Sequence, residues 1–329
     1  MIATIRQKIY HFSHPHNAKS YNLAHKRDVA TIYFRTFATM KRTTFIHIGI
    51  TLLLALVLCG CGGGNSTNNS DKECIFVSIA PLRPLVEAIT GDDFDIEILV
   101  PAGASPESFE PTPRQFITLN KARMVMAVGL IDFERNLLSK IEQKGKIINL
   151  SQGIELIAGS CSHHHHGHHC THGIDPHVWT SPIALKTMAR NAYEAIAAAY
   201  PDSTKYSTNY TQLQSQLDSL DCSVRHICKN ARVRRFVIYH PALTYLARDY
   251  GLEQISIEHE GKEPSAKRLA TIIGISQADN IRKIFYQSTY PRSTVEVIAE
   301  DIGAEPVEID PLGEDIFSNI EVMTRLITE

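Results

Sequence analysis

No CxxC pair occurs in the 329 residues, although seven cysteines are present. That absence weakens the zinc-ribbon and thioredoxin-like readings that paired thiols would support. HExxH is missing, as are the HxE with PCxxC pattern of zinc deaminases and the GxSxG elbow of hydrolases. The chain therefore lacks the constellations that would mark a zinc hydrolase, which stays a rival only if turnover tracks bound zinc. Basic residues are scarce beyond the first 60 positions. Residues 1–60 hold eight of the 33 Lys and Arg but one of the 35 Asp and Glu, leaving 25 basic against 34 acidic groups and a charge near −9 with neutral His. Such a charge argues against nucleic acid as a partner and mildly favours cationic ligands. Glycine and proline are missing from residues 202–230, so one uninterrupted helix can run there.

A long apolar run is also missing from the folded part. The one candidate, after Met40-Lys41-Arg42, is TTFIHIGITLLLALVLCGCGGGNS. A basic end, a short apolar stretch and small residues around a cysteine make a secretory signal, with an uncleaved membrane anchor as the competing reading. Leu58-Cys59-Gly60-Cys61 resembles a bacterial lipobox with Cys61 as the lipidated residue, whereas Cys59 follows bulky Leu58 and fits less well. Residues 1–39 read as an upstream extension, with Met40 as the expected start, and GGGNSTNNSDKE as a polar tether. The expected organisation is an extension and signal peptide over 1–61, a tether over 62–73, an N-terminal lobe over 74–201 and a linking helix over 202–230. A C-terminal lobe follows over 231–329.

The densest chemistry is CSHHHHGHHCTHGIDPHVW, Cys161 to Trp179. His163, His164, His165, His166, His168, His169 and His172 crowd a stretch, 161–172, with no apolar period. A core could not desolvate so many imidazoles, so a solvated loop that collects borderline divalent metal is expected. A tag is disfavoured because the run is internal and broken by Gly167. DPHVW reads as ordered, since Pro176 fixes the backbone beside His177 and Trp179 needs packing partners. Beyond Cys61 remain Cys74, Cys161, Cys170, Cys222 and Cys228, an odd number that leaves at least one unpaired. A disulfide joining Cys161 to Cys170 and thiolate ligation of metal are both open.

Apolar runs at CIFVSIAP, DIEILVPAG, MVMAVG and KIINL alternate with helical spacings at LRPLVEAITG, RQFITLNKAR and IDFERNLLSKI. The rhythm returns after residue 231 with RRFVIYH, LEQISIE, RKIFYQ and AEPVEID. Alternation of this kind predicts an α/β fold with parallel, helix-covered sheets. Between the halves, Tyr210, Leu213, Leu217, Leu220, Val224 and Ile227 recur at helical steps, predicting a stiff strut capped by Asp202 or Ser203.

Ligands of open α/β sheets gather beyond the carboxyl ends of the strands. His240 and Asp310 sit at such ends, Glu107 in the loop after the second strand, and His177 after the fourth. Each has a plainer reading alone: a strand-end hydrogen bonder for His240, a turn cap for Asp310, a solvated charge for Glu107. Together they offer two nitrogens and two carboxylates, a count suited to a closed first-row metal site. His226 and His259 read as surface residues.

SPESFEPTP, DPHVWTSP, YHPALTYLARDYGL and EIDPLGED stand in the order and spacing of four motifs of one family. Over residues 75–329 the chain resembles the zinc- and manganese-binding solute-binding lipoproteins of bacterial ABC importers. The resemblance implies two Rossmann-like βα lobes joined by one long rigid helix, with metal in the cleft between them. It implies His177, His240 and Asp310 as ligands, with Glu107 where many relatives have histidine. Manganese-selective relatives carry Glu at the position of His240, so zinc is the implied cargo and manganese the alternative. A monomeric, exported, lipid-anchored protein facing the periplasm or cell exterior is implied, passing zinc to the transmembrane permease subunit without catalysis. The rival reading is a zinc-buffering or adhesin-like surface lipoprotein with no transporter.

Overall fold

The computed structural model describes residues 72–158, 173–258, 264–290 and 292–329. The signal segment with Cys61, the tether up to Asp71, the histidine tract, Cys161, Cys170 and His259 lie outside the described residues. Residues 70–329 make one compact unit.

Two four-stranded parallel sheets carry the fold. The first contains β1 (Cys74–Val77), β2 (Asp95–Ile98), β3 (Met124–Ala127) and β4 (Ile147–Asn149), in the order β2-β1-β3-β4. The second contains β5 (Arg235–Ile238), β6 (Glu253–Ser256), β7 (Lys283–Tyr286) and β8 (Glu305–Glu308), in the order β6-β5-β7-β8. Position in the sheet explains composition. Central CIFV, MVMA, RFVI and KIFY are buried almost throughout, because helices cover both faces. Edge strands DIEI and EPVE keep exposed acidic positions.

The crossovers are α1 (Arg83–Thr90), α2 (Pro113–Lys121) and α3 (Asp132–Leu138) in the first half. Thr112 and Gln115 close a reciprocal capping box at the start of α2. At the turn from β3 into α3, Gly129 has φ +84, and a Cβ there would lie 2.2 Å from the Asn149 side chain. Only glycine satisfies both demands. The second half uses α6 (Thr244–Tyr250), α7 (Ala266–Ala278), α8 (Arg292–Ile302) and the terminal α9 (Ile316–Thr328).

Between the halves lie α4 (Pro182–Ala199) and the strut α5 (Thr204–Lys229). At 26 residues, α5 is about 39 Å long at 1.5 Å per residue. Leu213, Leu217, Leu220, Val224 and Ile227 are buried as their spacing predicts, while Tyr210 is half-buried and stacks on Tyr193 at 4.3 Å. The expected cap needs correction. Ser203 takes the N-cap position, but its hydroxyl makes no capping bond, and packing of Tyr206 against Phe94 helps anchor that end instead.

Helices α1, α4 and α9 all pack on α5. One buried cluster runs from β1 and β3 through α4 and α5 to Phe236, Leu243 and α9. The strut is thus welded into both lobes by shared apolar burial. Cys74, Cys222 and Cys228 are free thiols, and no described helix is long and apolar enough to cross a membrane.

Candidate metal centre

Loops beyond the carboxyl ends of both sheets meet around a cavity of about 170 Å³ lined by Glu107, His177, His240, Tyr290 and Asp310, among others. That volume lies below the range of about 300–1,000 Å³ usual for organic-ligand pockets. It suits a small hydrated ion.

Glu107 hangs from the segment between β2 and α2. The β1–β2 ladder continues through Leu99 N–H to Val77 O, and the chain then turns through Ala104 N–H to Pro101 O and Ser108 N–H to Ser105 O. Phe109 anchors the segment edge-on against Phe133, 5.2 Å between centroids. His177 is set by its own motif. Asp175 Oδ1 accepts both the backbone N–H of His177 at 2.9 Å and its ring Nδ1–H at 2.8 Å. Trp179 is buried, and its Nε1–H donates to Pro311 O at 2.8 Å across the cleft.

His240 lies two residues past β5. Its Nδ1 is 3.1 Å from Glu258 Oε2, and its ring stacks on Tyr290 at 5.6 Å and 22°. Gln287 Nε2 donates to its carbonyl at 3.2 Å. Both imidazoles are more than nine-tenths buried.

Both rings spend Nδ1–H on a carboxylate, so both turn Nε2 to the same point. The two Nε2 atoms are 3.3 Å apart, and Glu107 Oε1 lies 3.1 Å from that of His240 and 4.0 Å from that of His177. Three acceptors facing one another repel unless a cation or proton sits among them. A tetrahedral zinc with bonds near 2.1 Å has ligand–ligand edges of about 3.4 Å, and the three distances bracket that value.

The electrostatics agree. Burial lowers the His240 pKa, but hydrogen bonds and negative charge from Glu107 and Glu258 overcome it and hold the ring up at about 9. Burial likewise pushes the Glu107 carboxyl up, although its side chain is 38 % exposed. The hydrogen bond to His240 and the charges of both rings outweigh that and leave it below its ordinary value. In Asp175, burial is again opposed and outweighed by His177.

Among the described residues, Glu107, His177 and His240 are the group that could hold one ion, their ligating atoms all within 4.8 Å. Asp310 lines the same cavity but stands outside that group; its Oδ1 accepts Leu312 N–H at 3.0 Å. The seven tract histidines are outside the described residues. The chain around them leaves and returns at the antiparallel bridge between Ala158 and Ile174, three residues before His177. His226 is exposed, as expected of a surface residue.

Sequence reasoning missed Asp175, Glu258 and Tyr290. Asp175 had a signal, since a carboxylate two residues before a candidate ligand can bond its ring. Glu258 had only its place just past a strand end.

Two parallel-sheet lobes fixed on a long helix, with buried metal-type ligands from both lobes at their junction, define a solute-binding protein for a metal ion rather than an enzyme. Residues 75–329 match the family model described as zinc-uptake complex component A, periplasmic, and the chain belongs to that family. The high-affinity zinc uptake system protein ZnuA of Bacillus subtilis strain 168 is 27 % identical over 286 residues, covering 83 % of this chain and 89 % of the relative. The zinc-binding lipoprotein AdcA of Streptococcus pneumoniae strain R6 is 28 % identical over 282 residues, covering 80 % of this chain. The match takes in 55 % of AdcA, so the chain spans about half the length of that relative. Crystal structures of ZnuA, including a deletion mutant with zinc bound, superpose with TM-score 0.71 at 32 % identity, covering 78 % of this chain and 97–98 % of theirs. The treponemal zinc-binding protein TroA shares the fold at TM-score 0.68 and 20 % identity.

Proposed function

We propose that this protein captures zinc outside the cytoplasm and delivers it to the transmembrane subunit of an ABC importer. The observation that carries this reading is the convergence of three metal-type ligand atoms from both lobes, Glu107 Oε1, His177 Nε2 and His240 Nε2, within 4.8 Å. Glu107, His177 and His240 hold the ion, and Asp310 takes the fourth position from the second lobe. Two imidazoles favour a borderline metal, and an N/O site of this kind binds Zn²⁺ above Mn²⁺. Carboxylates at Glu107 and Asp310 keep manganese as the second reading. The histidines over 163–172 serve as a weak collector, tethered beside His177 through the Ala158–Ile174 bridge. Cys61 carries the lipid that keeps a monomeric protein at the membrane. Because the strut is buried in both lobes, capture proceeds by small loop adjustments rather than wide hinge closure.

The test is calorimetric titration of residues 62–329 with Zn²⁺ and Mn²⁺, beside a version lacking 162–172 and a His177→Ala, His240→Ala double variant. One tight zinc site that survives loop deletion and vanishes in the double variant is the expected result. Loss of tight binding on loop deletion alone overturns the cleft assignment. Tighter manganese than zinc overturns the cargo.

A further inference from the structure

His177 takes its orienting carboxylate from its own motif, two residues away. His240 has no such neighbour in sequence. Its Nδ1 partner is Glu258, 18 residues on, delivered by sheet pairing. β5 and β6 are parallel neighbours in register from Arg235↔Glu253 to Ile238↔Ser256. The ladder continues past the strand ends, with Ile257 N–H donating to Ile238 O at 2.8 Å and Glu258 N–H to Tyr239 O at 2.9 Å. That extension sets the Glu258 side chain beside His240, with 9 % of its surface exposed.

A buried carboxylate is costly unless it accepts hydrogen bonds. Glu258 has a donor here in His240 Nδ1, 3.1 Å from Oε2. Tyr290 covers the face of the His240 ring. One ring edge and one ring face are therefore fixed, and the opposite edge, Nε2, is aimed at Glu107 and His177. Glu258 lies on the far side of the imidazole from the three converging atoms, so it acts on the ion through His240.

We propose that Glu258 is the positioning residue of the zinc site: by accepting Nδ1–H it locks His240 in the tautomer and orientation that present Nε2 to the metal. This rests on His240 being a ligand. Outer partners of metal-bound histidines fix the tautomer and raise ligand basicity, and their loss typically weakens affinity 10–100-fold.

The experiment is a double-mutant cycle on residues 62–329, read by zinc affinity in competition with a chromophoric chelator. Glu258→Ala is expected to weaken zinc binding about 10–100-fold, and Glu258→Gln, which keeps an acceptor, to recover part of that loss. In a His240→Ala background, Glu258→Ala should add less than about a twofold further loss, because a residue acting through His240 has nothing left to act on. Imidazole ¹⁵N shifts of the zinc-bound protein should report His240 as the Nδ1–H tautomer, with that signature weakened in Glu258→Ala. If Glu258→Ala fails to fold, as thermal melting would show, the Gln variant carries the cycle. Unchanged affinity in both variants, or full additivity with His240→Ala, overturns the proposal. If His240→Ala itself leaves zinc affinity unchanged, the ligand assignment fails first, and the two failures are told apart.

Discussion

Trp179 Nε1–H donates to Pro311 O at 2.8 Å, tying the loop that carries His177 to the loop that carries Asp310. The indole is 2 % exposed and its ring lies 5.2 Å from that of His177. This bond fastens the two lobes to each other beside the candidate metal centre. Trp179→Phe keeps much of the apolar volume but leaves the buried Pro311 carbonyl without its donor. A loss of about 1–3 kcal/mol is expected, read as a lower urea midpoint with unchanged slope.

Glu107 is the proposed ligand whose chemistry departs from the imidazole that the family resemblance implies at its position. Glu107→His should keep zinc binding and widen the preference for zinc over manganese, because it exchanges a hard oxygen for a borderline nitrogen. Glu107→Ala should lose more zinc affinity than the 10–100-fold expected for an outer-partner deletion. Paired Zn²⁺ and Mn²⁺ titrations decide both. A narrowed preference in Glu107→His would sink the idea.

Glu134 is buried at 1 % exposure and sits outside the metal centre. Its carboxylate accepts Val128 N–H at 2.8 Å, Gly129 N–H at 2.7 Å and Ile131 N–H at 3.2 Å, gathering the turn after β3. Glu134→Ala orphans the Gly129 and Ile131 donors and leaves Val128 N–H only the Ser78 hydroxyl at 3.4 Å. A destabilisation of about 3 kcal/mol or more is expected from their desolvation, with zinc affinity of the folded fraction close to wild type. Chemical denaturation and metal titration read the two separately.

Asp221 joins three helices. It meets Lys186 of α4 at 2.9 Å, Arg225 of α5 at 2.9 Å and the Tyr250 hydroxyl of α6 at 2.8 Å. Burial pushes its carboxyl up, but Lys186, Tyr250 and Arg225 outweigh that and hold it below its ordinary value. A depressed folded pKa contributes stability that is complete above the unfolded value near 3.9 and disappears as pH falls through the folded value. The melting-temperature gap between wild type and Asp221→Asn should be full at pH 7 and close as pH drops below about 3.9. A gap that stays constant down to pH 2 would count against an ionic role.

Much of this architecture was legible in the chain. Strand runs such as MVMA and the IFY of KIFY, apolar because both sheet faces are covered, marked the parallel sheets. The face of α5 showed in the spacing of Leu213, Leu217, Leu220 and Val224. His240 and Asp310 stood at strand ends, with Glu107 and His177 in the segments that follow two other strands, where this topology collects ligands, and all four line one cavity. The orienting shell was less readable. Glu258 and Tyr290 are ordinary residues in sequence, and Ser203 looked like a cap that its hydroxyl does not make.

The sequence alone determined the βα rhythm, the strut and the kinds of atom offered to a metal, because periodicity and side-chain chemistry are local properties. Tertiary structure decided which of those atoms meet. The order β6-β5-β7-β8 puts Glu258 and Tyr290 against one imidazole, and packing of both lobes on α5 brings Glu107 and His177 to its other edge. Distances of 3–4 Å between residues 63 to 133 positions apart arise only from long-range pairing and shared burial, which no local pattern encodes.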